Sequence, residues 1–519
     1  MYEDPDLLVL KKDEIKVNRN IKYLEIELVK TIWDEWGFEK FSDRCKWLEE
    51  LVICRCVEPM ANINIQEWYE KTSLSLRKDS KIKELNKYDI YRGLDNLRNF
   101  EKSIQEHIYM KACETGKDNS IMYYDLTSSY FEGSTCIISR HGYSREHRAD
   151  LKQIEIALLV TKEGIPYYWK VLSGNTQDVT TVEGMIKEIK ERFGLKDCLF
   201  VFDRGMASET NLESIESCGY HYVTGLDIDE IRKLEEELKI IPEYMDEKTY
   251  DIDLAMYEYE SGNEDGTILI RELEIENQRY VMSFDVSRFF SDRENRAKAI
   301  ELVETWTQNK NEELKKSKKN RSKDKIERDI KSKIKKHKLT KIFKYSIEEM
   351  VDTTKKTPLT RYKINYEIDE TEKREQGKFD GISCFIANKG KEKLPGSELI
   401  QLYRDKNKVE EAFQNMKSNI ELRPIYLTRE ERVIAHVTVC VLAYLIMNDL
   451  QIKLKKKGLA ISAEKFLKKM STCHCNEIQI KNYSDTIKTI TSLNDEQKSM
   501  LKQLELSYLA EQEYVEKFV

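Results

Sequence analysis

The sequence predicts a mixed α/β chain whose core is interrupted by a β-rich insertion and flanked by helical segments. Three observations predict it. Between about 118 and 225, alternating apolar segments rich in Tyr, Val and Ile are interleaved with two amphipathic segments of helical period. From 226 to 395 that rhythm gives way to hairpin-like strands and a lysine-rich stretch. Helical periodicity fills most of the chain before 118 and returns at 396. At 519 residues the chain is too long for one hydrophobic core. The expected divisions are a helical region 1–117, a first core segment 118–225, the insertion 226–395, a second core segment 396–455 and a helical tail 456–519.

The elements follow in order. "DRCKWLEELVICRCVEPM" and "YDIYRGLDNLRNFEKSIQEHIYMKAC" carry apolar residues at helical spacing. "SIMYYDLTSSYFEG" alternates and reads as a strand, and "LKQIEIALLVTKEGIPYYWKVLSGN" as two strands joined at "KEG". "TVEGMIKEIKERFG" is a helix closed by Gly194, "DCLFVFDRGM" a short buried strand, and "SETNLESIESCGY" a helix with Ser208 at its N-cap. "HYVTGLD" is a further strand. In the insertion, "TILIRELEIENQRYVMSFDV" reads as a hairpin turning near Asn277-Gln278, and "RYKINYEID" and "KFDGISCFIANK" as strands. Helical texture resumes at "GSELIQLYRDKNKVEEAFQNMKS".

Composition narrows the function classes. The net charge of −7 excludes a uniformly basic nucleic-acid binder, so any DNA contact must be local. Lys310 to Lys344 is such a locale, with sixteen Lys/Arg against five Asp/Glu, a net of +11. It fits either a solvated helical surface or an arm that tracks phosphates. Only 7 prolines are present, which excludes long Pro-rich linkers. The 11 cysteines show no C-x-x-C pair, so Cys54/Cys56 and Cys473/Cys475 with His474 read as reduced thiols rather than a zinc site. The acidic N-terminus has no signal-peptide pattern, and a cytoplasmic location is expected. "VIAHVTVCVLAYLIMNDL" (433–450) carries His436 and Asn448 and reads as a buried core helix rather than a membrane span, so no membrane partner is expected.

Three carboxylates stand out. Asp125 lies mid-strand between Tyr and Leu, where an ionisable group is costly unless paired or bound to a metal. Asp203 ends the strand "LFVF", where α/β sheets build sites. Glu410 and Glu411 are adjacent in "KVEEAFQNMK". Stepping ~100° per residue from Tyr403 puts Lys406 at ~300°, Lys417 at ~320° and Glu410 at ~340°, with Glu411 apart at ~80°. Glu410 therefore shares a face with Tyr403, Lys406 and Lys417. Three carboxylates without Cys or His favour Mg²⁺ or Mn²⁺, and two such ions ~4 Å apart activate water and stabilise a leaving oxygen.

The blocks "YYDLTSSYFEG", "VFDRGM" and "YRDKNKVEEAFQNMK" resemble those of DDE transposases of prokaryotic insertion sequences, the superfamily marked by Y-x-x-R-x-x-x-E-x-x-x-x-x-x-K. "GYSREHRADLKQ" and "LSGNTQD" resemble two further blocks, and the likeness spans about 120–450. The resemblance implies a ribonuclease-H-like core with the insertion between the second Asp and the Glu. It implies Asp125, Asp203 and Glu410 as catalytic metal ligands for Mg²⁺ or Mn²⁺, bound as a pair of ions. The signature Tyr and Lys fall on Tyr403 and Lys417, the Arg position holds Lys406, and the resemblance implies all three as DNA-binding residues. The implied activity is strand cleavage at element ends, then transfer of the 3′-OH into target DNA. The implied partners are double-stranded DNA (terminal inverted repeats and target) and a second copy of the chain in a synaptic complex. The helical region 1–117 is then a candidate for end binding or dimerisation, and the enzyme a prokaryotic protein associated with the nucleoid when bound to DNA.

Weaker candidates surround these. Thr127 shares a strand face with Asp125 and reads as a core hydroxyl or an orienter of water. Arg204 is a phosphate contact or a partner of a carboxylate. Arg148, Lys152 and Gln153 are candidate DNA contacts, and His141 and His147 read as loop surface. Two alternatives remain open. One is a transposase-derived DNA-binding protein that does not cut. The other is a ribonuclease-H-like nuclease without strand transfer.

Overall fold

The computed structural model describes residues 14–78, 80, 82, 87–132, 135–145, 148–238, 258–260, 268–317, 319–352, 359–481 and 486–519. The chain divides into two compact units. One comprises Met1–Tyr222 with Arg404–Val519, and the other comprises Val223–Tyr403. Among the described residues the strands are β1 (Ile15–Lys22), β2 (Ile121–Tyr130), β3 (Gln153–Thr161), β4 (Pro166–Ser173), β5 (Leu199–Phe202), β6 (His221–Gly225), β7 (Glu258–Glu260), β8 (Ile268–Ile275), β9 (Gln278–Asp285), β10 (Phe343–Asp352), β11 (Leu359–Ile368), β12 (Ile382–Ala387), β13 (His474–Ile480) and β14 (Thr486–Ile490).

The first unit is built on a mixed sheet in the order β4-β3-β2-β5. β2, β3 and β4 are antiparallel neighbours, while β5 joins β2 in parallel with Ile121 opposite Leu199 and Tyr124 opposite Phe202. Every residue of β3 is buried, so both faces of the sheet are covered there. Helices Glu101–Glu114, Asn407–Ser418 and Glu430–Lys456 pack on β2, β3 and β4. The Val182–Phe193 helix ends at Gly194 with φ +59°, a left-handed cap that glycine adopts without a Cβ penalty. Ser208 caps the Glu209–Ser217 helix by accepting from the Asn211 N–H.

Glu430–Lys456 is long and apolar enough to cross a membrane, but 83% of its most apolar window is buried inside the protein. Helices Leu24–Trp36, Leu48–Val57, Lys87–Leu97 and Ala463–Met470 surround it. A helix apolar on all sides is what such a central position requires. Its polar groups are matched. Thr438 Oγ1 accepts from Trp169 Nε1 at 3.1 Å, and the Tyr444 hydroxyl donates to the Gly164 carbonyl at 2.9 Å. Burial lowers His436 to about 3, so the ring is neutral and its Nε2–H meets the Leu422 carbonyl at 2.9 Å. Arg55 Nη1 donates to the carbonyls of Ile420 and Glu421, at 3.2 and 3.1 Å. That pair of bonds pins the chain just after the helix that carries Glu410.

Two expectations are corrected at the chain ends. The N-terminal region and the tail are not purely helical. β1 pairs antiparallel with β13, which pairs with β14, in a three-stranded sheet that joins residues 15–22 to the tail. β1 is an edge strand with mostly exposed side chains, so "IKVNRNIK" lacks the buried alternation that marks a strand in sequence.

In the second unit the strand order is β6-β12-β9-β8-β7. The β8–β9 hairpin turns at Glu276-Asn277, both with positive φ, one residue before the expected position. Met282, Phe284, Phe289, Phe379 and Cys384 form one core cluster of this unit. The basic stretch is no free arm. The Val286–Lys316 and Lys323–Lys336 helices pack on the antiparallel β10–β11 pair. Ile326, Ile330 and Ile334, at i, i+4 and i+8, bury one face against Val303, Leu314, Phe343 and Ile364, and this leaves the lysines outward.

Candidate active site

The parallel register of β2 and β5 builds the centre of the site. Pairing ends at Tyr124 opposite Phe202, so the next residues, Asp125 within β2 and Asp203 just past β5, stand side by side. Both line a cleft of about 1140 Å³ together with Glu410. Glu411, the next residue, lines a separate cavity with Tyr444 and Asn448. The two glutamates thus face different cavities on the Asn407–Ser418 helix.

Their surroundings differ. Burial raises Asp125 to about 6, opposed by the Leu126 backbone and by the charges of Lys406 and Arg145, and assisted by Asp203. Asp203 accepts from the Arg204 N–H at 3.0 Å, which caps the short turn after β5. The Lys406 ammonium lies 3.3 Å from Asp203 Oδ1 and 3.7 Å from Glu410 Oε1. Lys417 donates to Thr127 Oγ1 at 2.6 Å, so the Thr127 hydroxyl serves the cleft's lysine rather than an apolar core.

The helix phase taken from Tyr403 rests on a continuity that the structure lacks. One helix runs Gly396–Arg404 and the next Asn407–Ser418, separated by a turn at Asp405-Lys406. Within the second helix Glu410 and Lys417 still share a face, because they are seven residues apart. Tyr403 belongs to the second unit, where its ring meets Phe385 at 4.8 Å and lies against Gly225.

The other predicted residues are scattered. Arg148 forms a two-toothed pair with Asp150 and sits over the Tyr130 ring. Lys152 and Arg204 do not line the cleft. Gln153 is buried, and its amide donates to Glu155 Oε1, the Tyr143 carbonyl and the Gly174 carbonyl. This is a structural role and not a surface contact. His141 is exposed, and His147 lies outside the described residues.

Sequence reasoning missed Arg145 and Arg423, which both line the cleft. Arg145 forks, donating to Glu155 Oε2 at 2.7 Å and to Asp178 Oδ2 at 2.6 Å. Glu155 is a buried carboxylate in β3, and burial raises it to about 7 against the pull of Arg145. The signal was available, since a glutamate inside "KQIEIALLV" is as anomalous as Asp125 in its strand.

The lining contains no Cys or His, and its acidic side chains supply only oxygen. That chemistry fits a hard divalent cation. Among the described residues no three His, Cys, Asp or Glu side chains form an ion cage by themselves. In this arrangement a lysine ammonium stands between Asp203 and Glu410.

A family profile described as transposase DDE domain matches residues 110–446. The chain belongs to the DDE transposase family. No curated protein matches it. Among solved structures, the piggyBac transposase synaptic complex with hairpin DNA is similar at 9% identity, over 84% of this chain and 70% of that chain, with a TM-score of 0.37. The Mos1 transposase paired-end complex with left transposon end is similar at 13% identity, over 38% of this chain and 58% of that one, with a TM-score of 0.16. Both likenesses are remote. The matched region of this DDE transposase contains Asp125, Asp203, Glu410 and the cationic side chains around them.

Proposed function

We propose that this chain is an insertion-sequence transposase with a ribonuclease-H-like core that cuts DNA strands at the element ends and joins the freed 3′-OH to target DNA. The observation that carries the reading is the shared cleft of Asp125, Asp203 and Glu410, set by the β2–β5 register and the Asn407–Ser418 helix. These three side chains would hold Mg²⁺ or Mn²⁺, in a pair of ions. When bound, such ions supply activation of the attacking oxygen and charge neutralisation on the leaving one.

In the first reaction a water oxygen attacks the phosphorus at the element end. The P–O3′ bond breaks, and the element keeps a free 3′-OH. In the second, that 3′ oxygen attacks a target phosphorus and the target's P–O3′ bond breaks. Lys417 and Arg423 line the cleft and would hold the strand's phosphates, with Arg148, Lys152 and Arg204, outside that lining, as further backbone contacts. Asp125, part-buried within β2, would stay fixed while Asp203 and Glu410, more than half exposed, receive the substrate side. The partners in this reading are the terminal inverted repeats, target DNA and a second copy of the chain. Its location is the prokaryotic cytoplasm.

A second reading, a DNA-binding protein that no longer cuts, draws on the Lys406 ammonium between two of the carboxylates. The two readings separate when the purified chain is incubated in Mg²⁺ with DNA carrying the repeats that flank its gene. Nicks with a 3′-OH at the repeat boundary, followed by joined products, are expected. End binding without nicks in either Mg²⁺ or Mn²⁺ refutes the cutting reading.

A further inference from the structure

We propose that Lys406 is a tethered counter-ion of the cleft, a positioning residue that holds Asp203 and Glu410 together and competes with divalent cations for them. The inference rests on the reading of these carboxylates as metal ligands. Lys406 is only 8% exposed, whereas the side chains it meets are 55% and 56% exposed. A buried ammonium is costly unless paired, so its position is explained by its partners rather than by a phosphate outside.

The local backbone sets this up. Lys406 occupies the turn between the two helices with helical dihedrals (φ −52°, ψ −26°). Its side chain reaches Glu410 as an i,i+4 neighbour on one side and Asp203 at the end of β5 on the other. One positive charge thereby bridges two elements that are distant in sequence, and relieves the repulsion of two carboxylates facing one cleft. A lysine suits this task in a way an arginine does not. Its charge is compact, on a flexible four-carbon stem that can swing aside, whereas a guanidinium forks rigidly onto a carboxylate.

Two consequences follow with opposite signs. Without divalent ions, Lys406 stabilises the cleft. With them, its ammonium must leave Asp203 and Glu410, so it weakens their affinity for the cation. A residue that serves only to contact DNA produces neither effect in DNA-free protein.

The test uses the full chain without DNA, titrated calorimetrically with Mn²⁺ and unfolded thermally in EDTA. Lys406→Met is expected to bind Mn²⁺ about two- to thirtyfold more tightly, the range of two half-exposed ion pairs worth together about 0.4–2 kcal/mol. It is also expected to unfold at lower temperature than wild type in EDTA. Lys406→Arg, which keeps the charge but forks rigidly onto a carboxylate, should bind Mn²⁺ no more tightly than wild type. Should the Met variant not fold, Lys406→Gln is read in its place. Unchanged or weaker Mn²⁺ affinity in the neutral variant overturns this inference alone. A wild type without saturable Mn²⁺ binding that Asp203→Asn abolishes overturns the metal reading, and this inference with it.

Discussion

Replacing Arg145 by Met tests the electrostatics of the cleft wall, because its effect on stability must depend on pH in a defined way. Glu155 is 2% exposed and is held by Arg145 Nη1 at 2.7 Å. Burial raises its pKa from 4.5 to about 7. A carboxylate whose folded pKa is raised costs stability as pH climbs from 4.5, because the unfolded chain gives up its proton first. In the wild type that decline stops near 7, where Glu155 ionises against Arg145. Without Arg145 the folded pKa moves higher and the decline continues, at ~1.4 kcal/mol per pH unit. At pH 6 Glu155 is mostly protonated in both proteins. The loss is then that of the hydrogen bonds and the partly exposed Asp178 pair, about 1–2 kcal/mol. At pH 8 the ionic part adds ~1.4 kcal/mol, for a loss of about 2.5–3.5 kcal/mol. Urea unfolding of wild type and Arg145→Met at both pH values measures this. Equal losses at the two pH values, or a larger one at pH 6, refute the reasoning.

Two further outcomes follow from the same structure. Glu25 is 3% exposed with Oε2 unpartnered, and burial raises it from 4.5 to about 7, so Glu25→Gln should stabilise the protein at pH 8 by up to ~3 kcal/mol, with the gain vanishing towards pH 4.5. Thermal unfolding across that range checks it, and a gain independent of pH counts against it. In the basic stretch, replacing the exposed Lys315, Lys316 and Lys319 by Gln should flatten the salt dependence of DNA binding, for element ends and random DNA alike. The log–log slope should fall by ~0.9 for each phosphate that is no longer neutralised. An unchanged slope in a salt titration assigns those lysines to solvated surface.

The strands and helices around the site were legible because their periods are strong. β2 and β3 carry the apolar, aromatic and β-branched residues of a buried sheet. The helices after 182 and 209 carry clear start and stop signals, with Gly194 closing the first and Ser208 capping the second. The separation of Glu410 from Glu411 was legible for the same reason, since adjacent helical residues diverge by ~100°. The break at Asp405-Lys406 was not, because "YRDKNKVEE" contains neither Gly nor Pro to announce it. Nor was the β1–β13 pairing, whose partners, such as Ile15 and Ile480, lie near opposite ends of the chain in mostly polar strands. Arg145 was overlooked in favour of Arg148 because direction within a loop depends on what it meets. Glu155 and Asp178 attract one guanidinium into the cleft, while Asp150 holds the other at the surface.

If Asp125, Asp203 and Glu410 do the chemistry while DNA is held elsewhere, cleavage and binding must separate on mutation. The most direct measurement compares strand cleavage and end binding, in Mg²⁺, for wild type, Asp203→Asn, Glu410→Gln and Glu411→Gln. Asp203→Asn and Glu410→Gln should lose cleavage by at least about 100-fold, the scale for removing a group that acts on the transition state, with end binding nearly intact. Glu411→Gln, which faces a separate cavity on the same helix, should cleave like wild type. Undiminished cleavage in Asp203→Asn or Glu410→Gln, or its loss in Glu411→Gln alone, would contradict the account.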